Sequence, residues 1–410
     1  MLDDEKDASR NDLMKIVESR TTKFGCFSEN RRFIPFLFIS LYSEIRSMSR
    51  LIVFFIPLAV LFSCNRVPRK APEGKTNLVT YAATLEIYRM DGYIQVRIFN
   101  PLTKKKSMYA LSPTQPRVIQ PDETWIKTPV KSMITLSGTH IGMLAVLNET
   151  DRIKGVTNRN YIYSKAVLKG INTGKIIAFD NEESIPVESI IRSKAEMLVY
   201  SGFGSDFPHQ EQLKRTGTLC IPNYDWKEVH PLGKAEWIKL FGYLTGREKE
   251  ADTYFKKITG EYNKLKISAK KFGKHPTVFS GNAYGDSWYC PAGESYNAQL
   301  IRDAGGNYTY HETKGTGSLE LSPEKVFSDN AKTDIWLNPG NASLNELKLS
   351  NPRTELYKAY ADQQIYCYSP NMNRFWEMSA IEPHVVLADL LAIFHPGTVK
   401  GKLYFYQKLK

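Results

Sequence analysis

Cysteine is scarce in this chain, with five in 410 residues. Beyond Cys64 only Cys220, Cys290 and Cys367 remain, an odd number with neither CxxC nor zinc-type spacing. No disulfide framework is implied, although one disulfide plus a free thiol stays open in an oxidising compartment. There is no GxSxG, since Ser201-Gly202-Phe203-Gly204-Ser205 lacks the central serine, and no GxxxxGK[ST] phosphate loop, which disfavours two common enzyme classes. A triad of His140, Asp225 and Ser137 can be drawn, but no spacing supports it, and no enzymatic activity is expected. No arginine-rich run marks a nucleic-acid surface. The apolar run at residues 51–62 is too short, and too interrupted by Pro57, for a membrane span.

That run is nevertheless informative. Reading from Met48, a short basic head is followed by the apolar stretch and then by Ser63-Cys64, the order of a secretory signal. Leu61-Phe62-Ser63-Cys64 resembles a bacterial lipobox, which implies cleavage before Cys64 and a lipid on its thiol. Residues 48–63 are therefore expected to be a signal peptide, and residues 1–47 an upstream segment from a mis-assigned start, outside the fold. The remaining chain holds 46 Lys and Arg against 35 Asp and Glu. That excess favours anionic ligands or a membrane surface, or forms a solvated cationic exterior.

Residues 64–76 are polar and rich in proline and lysine, as in a flexible tether. Residues 77–111 alternate apolar and polar residues on both sides of Asp91-Gly92, which predicts a β-hairpin element. From residue 112 short apolar strands alternate with amphipathic stretches, the pattern of α/β units around a mostly parallel sheet. This first lobe is expected over 112–226. Residues 227–271 carry apolar residues at helical spacing, with Tyr254, Ile258, Tyr262 and Leu265 on one face, predicting a long helix between lobes. Residues 272–410 then repeat the α/β rhythm as a second lobe.

Several segments, taken in order, resemble the substrate-binding proteins of ABC importers for vitamin B12, haem and ferric siderophores. They include Arg152-Ile153-Lys154-Gly155-Val156, Pro186-Val187-Glu188-Ser189-Ile190, Asp303-Ala304-Gly305-Gly306-Asn307, and Leu321-Ser322-Pro323-Glu324 leading to Asp334-Ile335-Trp336-Leu337. The added hairpin and Asn373-Arg374-Phe375-Trp376-Glu377-Met378 are most similar to Bacteroidetes versions. The resemblance implies the class III periplasmic-binding-protein fold, two α/β lobes joined by a long rigid helix. It also implies an iron chelate, haem or corrinoid as ligand, and no cofactor. The implied partners are an ABC permease with its ATPase and, through the lipid, a membrane on the periplasmic side, with the protein monomeric and not bound to nucleic acid. Glu188 and Glu324 match the family's permease-docking carboxylates, although either could simply complement a helix dipole.

Ligands of α/β folds sit at the carboxyl ends of strands. The loops expected there supply His140, Arg159, Tyr161, Phe203, Trp226, Tyr284, Trp288, Tyr289, Asn341, Arg374 and Trp376. Aromatic faces suit a large, flat or partly apolar ligand. Arg159 and Arg374, one per lobe, are placed to meet carboxylates or phosphate on a chelate. A bare zinc or manganese receptor is the neighbouring alternative, drawing on His140, His209, His230 and His311, but the spacing does not match. An envelope sensor or assembly lipoprotein on the same fold is a further one.

Overall fold

The structure, a computed structural model, describes residues 72–410 apart from 183, 204, 342, 370 and 400. Cys64, the signal segment and residues 1–47 lie outside the described residues, as does most of the expected tether.

The first element is larger than a hairpin. Strands β1 (Leu85–Arg89) and β2 (Ile94–Phe99) pair antiparallel around Asp91-Gly92, with Gly92 at φ +80°, a region open to glycine. Strand β3 (Lys106–Ser112) adds antiparallel to β2, and β4 (Glu123–Lys127) adds parallel to β3. The sheet thus runs past residue 111 to Lys127. The long excursion between β3 and β4, which carries no hairpin turn chemistry, hides the last strand from the alternation pattern.

The first lobe is a parallel sheet in the order β7-β6-β5-β8-β9, built from β5 (Met133–Thr135), β6 (Ile153–Thr157), β7 (Ile177–Phe179), β8 (Met197–Ser201) and β9 (Leu219–Asn223). Its central strands are buried on both faces, hence the short apolar runs without alternation.

The second lobe has a five-stranded sheet in the order β13-β10-β15-β16-β17, formed by β10 (Thr277–Ser280), β13 (Asn307–Tyr308), β15 (Ile335–Leu337), β16 (Ile365–Tyr368) and β17 (Tyr406–Lys408). All pairs are parallel except β16 with β17. The buried Asp389 carboxylate holds the closing segment by accepting from the backbone N–H groups of Tyr404, Phe405 and Tyr406 at 2.6–3.0 Å. A separate antiparallel sheet of β11 (Asn282–Tyr284), β12 (Ser287–Pro291) and β14 (Ser318–Leu321) lies beside it.

Between the lobes run helices Pro231–Glu236 and Ile238–Thr245, then the 22-residue bridging helix Glu248–Ala269, about 33 Å long at 1.5 Å per residue. Its expected inner face is the observed one: Ile258 and Tyr262 are buried, Tyr254 and Leu265 partly so. Tyr254 Oη donates to Ile381 O at 3.3 Å and Tyr262 Oη to Asp303 Oδ2 at 2.7 Å, tying the helix to the second lobe. Arg247, just before its first turn, pairs with Glu149 of the first lobe at 2.6 Å. Cys220, Cys290 and Cys367 are buried free thiols, so the disulfide left open by the sequence does not form.

Candidate functional site

The carboxyl ends of β5 and β9 end in polar residues that are wholly enclosed. Thr135 closes β5 and Asn223 closes β9, both with no exposed surface, and Asp225 follows in a short 3₁₀ turn, 3% exposed. The Asn223 side-chain oxygen accepts from the Asp225 backbone N–H at 2.7 Å, which fixes the turn. Thr135 Oγ1, Asn223 Nδ2, Asp225 Oδ2 and both ring nitrogens of His140 are buried with no hydrogen-bond partner within the protein. Buried polar atoms of this kind are rare in protein interiors.

His140 lies in helix Gly138–Val146, fully enclosed, its ring 5.6 Å from that of Phe241. Burial lowers its pKa from 6.5 to about 4, against the pull of the Asp225 charge, so the imidazole is neutral at ordinary pH. From the second lobe, Tyr296 opens helix Tyr296–Asp303, and its buried hydroxyl likewise has no partner within the protein. Burial raises its pKa, and the charges of Tyr368 and Asp225 raise it further. Asp225 therefore influences groups on both sides of the seam between lobes.

The lobes touch at this edge through helix Met372–Met378. The Glu377 carboxylate, 1% exposed, accepts from the backbone N–H groups of Tyr163 and Ser164 at 2.9 and 3.1 Å. Asn373 Nδ2 donates to Asn160 O at 2.7 Å. Helix Gly138–Val146 turns Gly138 and Gly142 toward this partner, and a Cβ on Gly142 would collide with the Glu377 carbonyl oxygen. Burial raises the Glu377 pKa, with its two backbone bonds working the other way.

The predicted ligand residues divide. Phe203, 62% exposed, packs its ring 5.0 Å from Trp226, and Trp376 is 45% exposed. Arg159 is exposed and Tyr161 half-buried, in one 3₁₀ turn. Tyr284 and Tyr289 belong to the accessory sheet, where Tyr289 Oη donates to Glu320 at 3.2 Å, and Asn341 donates to Ser350 at 3.4 Å. Three expectations are corrected. His140 sits inside a helix and not in an open loop, because the apolar run that follows it draws Gly138 and Thr139 into the first turn. Trp288 is buried within the second lobe among Phe279 and Trp336, as β12 turns its side chain inward. Arg374 sits in helix Met372–Met378 and not in an open loop, stacked on Tyr404 3.0 Å from the ring centroid and 5.9 Å from the Tyr163 ring of the first lobe, with its Nε buried and without a hydrogen-bond partner.

Glu188 and Glu324 occupy equivalent places. Each is the second residue of a short exposed helix, Val187–Ser193 or Pro323–Asn330. Each helix leads into the strand next to the lobe's first strand, β8 beside β5 and β15 beside β10. Glu324 also lies 3.6 Å from Arg353 across solvent. Among the described residues no three His, Cys, Asp or Glu side chains gather as a metal site. A cavity of about 420 Å³ beside Glu188 and another of about 540 Å³ between β3 and β9 have no lining residue from the second lobe.

Residues 133–372, more than half of the chain, match the family model described as periplasmic binding protein. The chain belongs to this family. The match begins at β5 and ends on the helix that carries Glu377, so the periplasmic binding protein core excludes the N-terminal sheet. An uncharacterized lipoprotein of Methanocaldococcus jannaschii is 29% identical over 296 residues, covering 69% of this chain and 70% of that one. A second lipoprotein of that organism is 22% identical, covering 83% of this chain and 88% of its own. Among solved structures, a periplasmic binding protein from Veillonella parvula superimposes with a TM-score of 0.56 at 12% identity, covering 75% of this chain and 99% of that one. A periplasmic heme binding protein from Pseudomonas aeruginosa gives 0.53 at 15%, covering 68% and 98%. The fold is that of class III periplasmic binding proteins, and membership points to the cell envelope.

Sequence reasoning placed Asn223 and Asp225, with Trp226, in a loop expected at the ligand end of the first lobe, but missed Thr135, Tyr296 and Glu377 as site residues. The glycine pair four residues apart in Gly138–Val146 and the acidic residue in the Asn373–Met378 motif were the available signals for the seam.

Proposed function

We propose that this periplasmic binding protein is a lipid-anchored receptor, acylated at Cys64, that captures an iron chelate, haem or corrinoid between its lobes and delivers it to an ABC permease. The observation carrying the reading is the set of buried polar atoms without a hydrogen-bond partner on Asp225 and His140 of one lobe and Tyr296 of the other, the Asp225 charge acting on both of the others. His140 and Asp225 follow the carboxyl ends of β5 and β9, where α/β folds bind ligands. Phe203, Trp226 and Trp376 supply aromatic surface nearby in the fold. The lobes meet at Glu377 and Asn373, so entry requires that edge to part.

Glu188 and Glu324 are the docking carboxylates in this reading, supported by their equivalent helical and topological positions. Purified mature protein should show thermal stabilisation and altered tryptophan fluorescence with at least one of these chelates. Silence toward all of them removes the assignment. Replacing Glu188 and Glu324 together by Ala should abolish uptake while leaving ligand binding intact; unimpaired uptake removes the docking role. Intact mass of the native protein tests the Cys64 lipid.

A further inference from the structure

We infer that the cavity of about 540 Å³ between β3 and β9 is a second binding site, built for an uncharged, polyhydroxylated ligand of the saccharide class. The inference stands apart from the proposed capture of a chelate, since none of the buried groups at the seam lines this cavity. One wall is the added sheet with the turn between β2 and β3. The other is the edge strand β9 with helix Gln210–Arg215. The family match begins at residue 133, so the first wall lies outside the part shared with the family. The volume of the cavity and its place between two packed units are those of small-molecule pockets.

The charges that line it decide the class. The sheet wall carries Lys105, Lys106 and Asp122, and the lobe wall carries Asp206, Glu211 and Lys214. Among the described residues none of these six forms an ion pair. Each wall therefore presents both signs, and a ligand with net charge meets a like charge on either side. A ligand rich in hydroxyls meets none, because each hydroxyl both donates and accepts and so serves ammonium and carboxylate alike. Between the walls stand three phenols, Tyr109 in β3, Tyr200 in β8 and Tyr224 just after β9. All three are buried, which makes them the floor of the cavity and not its rim. Burial raises their pKa values, and the Asp206 charge, felt by all three, raises them further, that of Tyr224 to about 12. The phenols keep their protons at ordinary pH and add neutral hydrogen-bonding groups beneath the charged walls.

The test is calorimetric titration of the mature protein with trisaccharides of one size and three charges: neutral maltotriose and triacetylchitotriose, cationic chitotriose, and anionic trigalacturonate. At least one neutral probe should bind with a Kd of about 1 mM or tighter, and at least about threefold tighter than both charged ones. Asp206→Asn and Lys106→Gln, at exposed positions, should each weaken that probe about three- to tenfold. Tyr296→Phe, at the seam, should leave it unchanged. The inference is overturned by equal or tighter binding of a charged trisaccharide, by no binding of either neutral one, by an affinity unmoved by both Asp206→Asn and Lys106→Gln, or by its loss in Tyr296→Phe. Each of these outcomes leaves the receptor reading to the chelate titration, which decides it separately.

Discussion

Two fastenings in this molecule use the same chemistry, a buried carboxylate accepting backbone N–H groups, at very different strength. At the first, Glu236 accepts from Thr80, Tyr81 and Ala82, and Glu228 from Ala83 and Thr84, so five successive amides of the N-terminal strap are held at 2.6–3.0 Å. Thr84 Oγ1 and Trp237 Nε1 add to Glu228, and Lys239 pairs with Glu236 at 2.9 Å. At the second, Glu377 holds only two amides of the opposite lobe, and Asn373 adds one bond. The first joins the added sheet to the bridging region as a permanent part of the fold. The second closes two lobes that a receptor must be able to separate, and a few bonds of about 1 kcal/mol each suit that task.

The contrast can be broken at its strong end first. Glu236→Ala strands three part-buried amides and the Lys239 ammonium, and should destabilise the protein by about 3–5 kcal/mol in chemical denaturation. A change under about 1 kcal/mol, within ordinary surface effects, would mean that the strap is not structural. At the weak end, Gly142→Ala drives a methyl into backbone at the Glu377 carbonyl, which cannot swing aside as a side chain could. It should cost about 1–3 kcal/mol and raise amide exchange at Tyr163 and Ser164 while the amides at residues 80–84 stay protected. Uniform exchange across both fastenings would erase the distinction.

The smallest effect is one of pH. His140, with its folded pKa lowered to about 4, contributes stability that is fully present above 6.5 and is lost as pH falls through about 4. Between pH 7.5 and 5 that amounts to about 2 kcal/mol. Glu377 and Asp389 run the other way, their raised pKa values favouring the folded state at lower pH. Both remain in a His140→Gln variant, so the difference between variant and parent isolates the imidazole. The variant should lose less stability on acidification; identical pH profiles would place His140 in contact with solvent.

The bridging helix and the central strands were legible in the sequence because long-range burial imposes a period: Tyr254, Ile258 and Tyr262 at helical spacing, or the unbroken apolar runs of β5 and β8. The seam was not. Gly138-Thr139-His140 and Asn373-Arg374-Phe375-Trp376 read as loops, since short helices packed by glycine contact carry neither caps nor a polar face. The accessory sheet around Trp288 escaped because its strands are three to five residues long. Asp225 and Asn223 look like turn residues, and only tertiary packing reveals that they are enclosed. Arg374 was misread for the same reason, and its stacking partner Tyr404 lies too far along the chain to be seen in the pattern.

The strap also decides how force travels. Any pull arriving along the chain from upstream of Asn77 reaches the five amides at residues 80–84 and passes into Glu228 and Glu236 at the pivot, and so bypasses both lobes. A protein held at its pivot can be pulled from upstream without its lobes being pried apart, and they keep their own mechanical freedom.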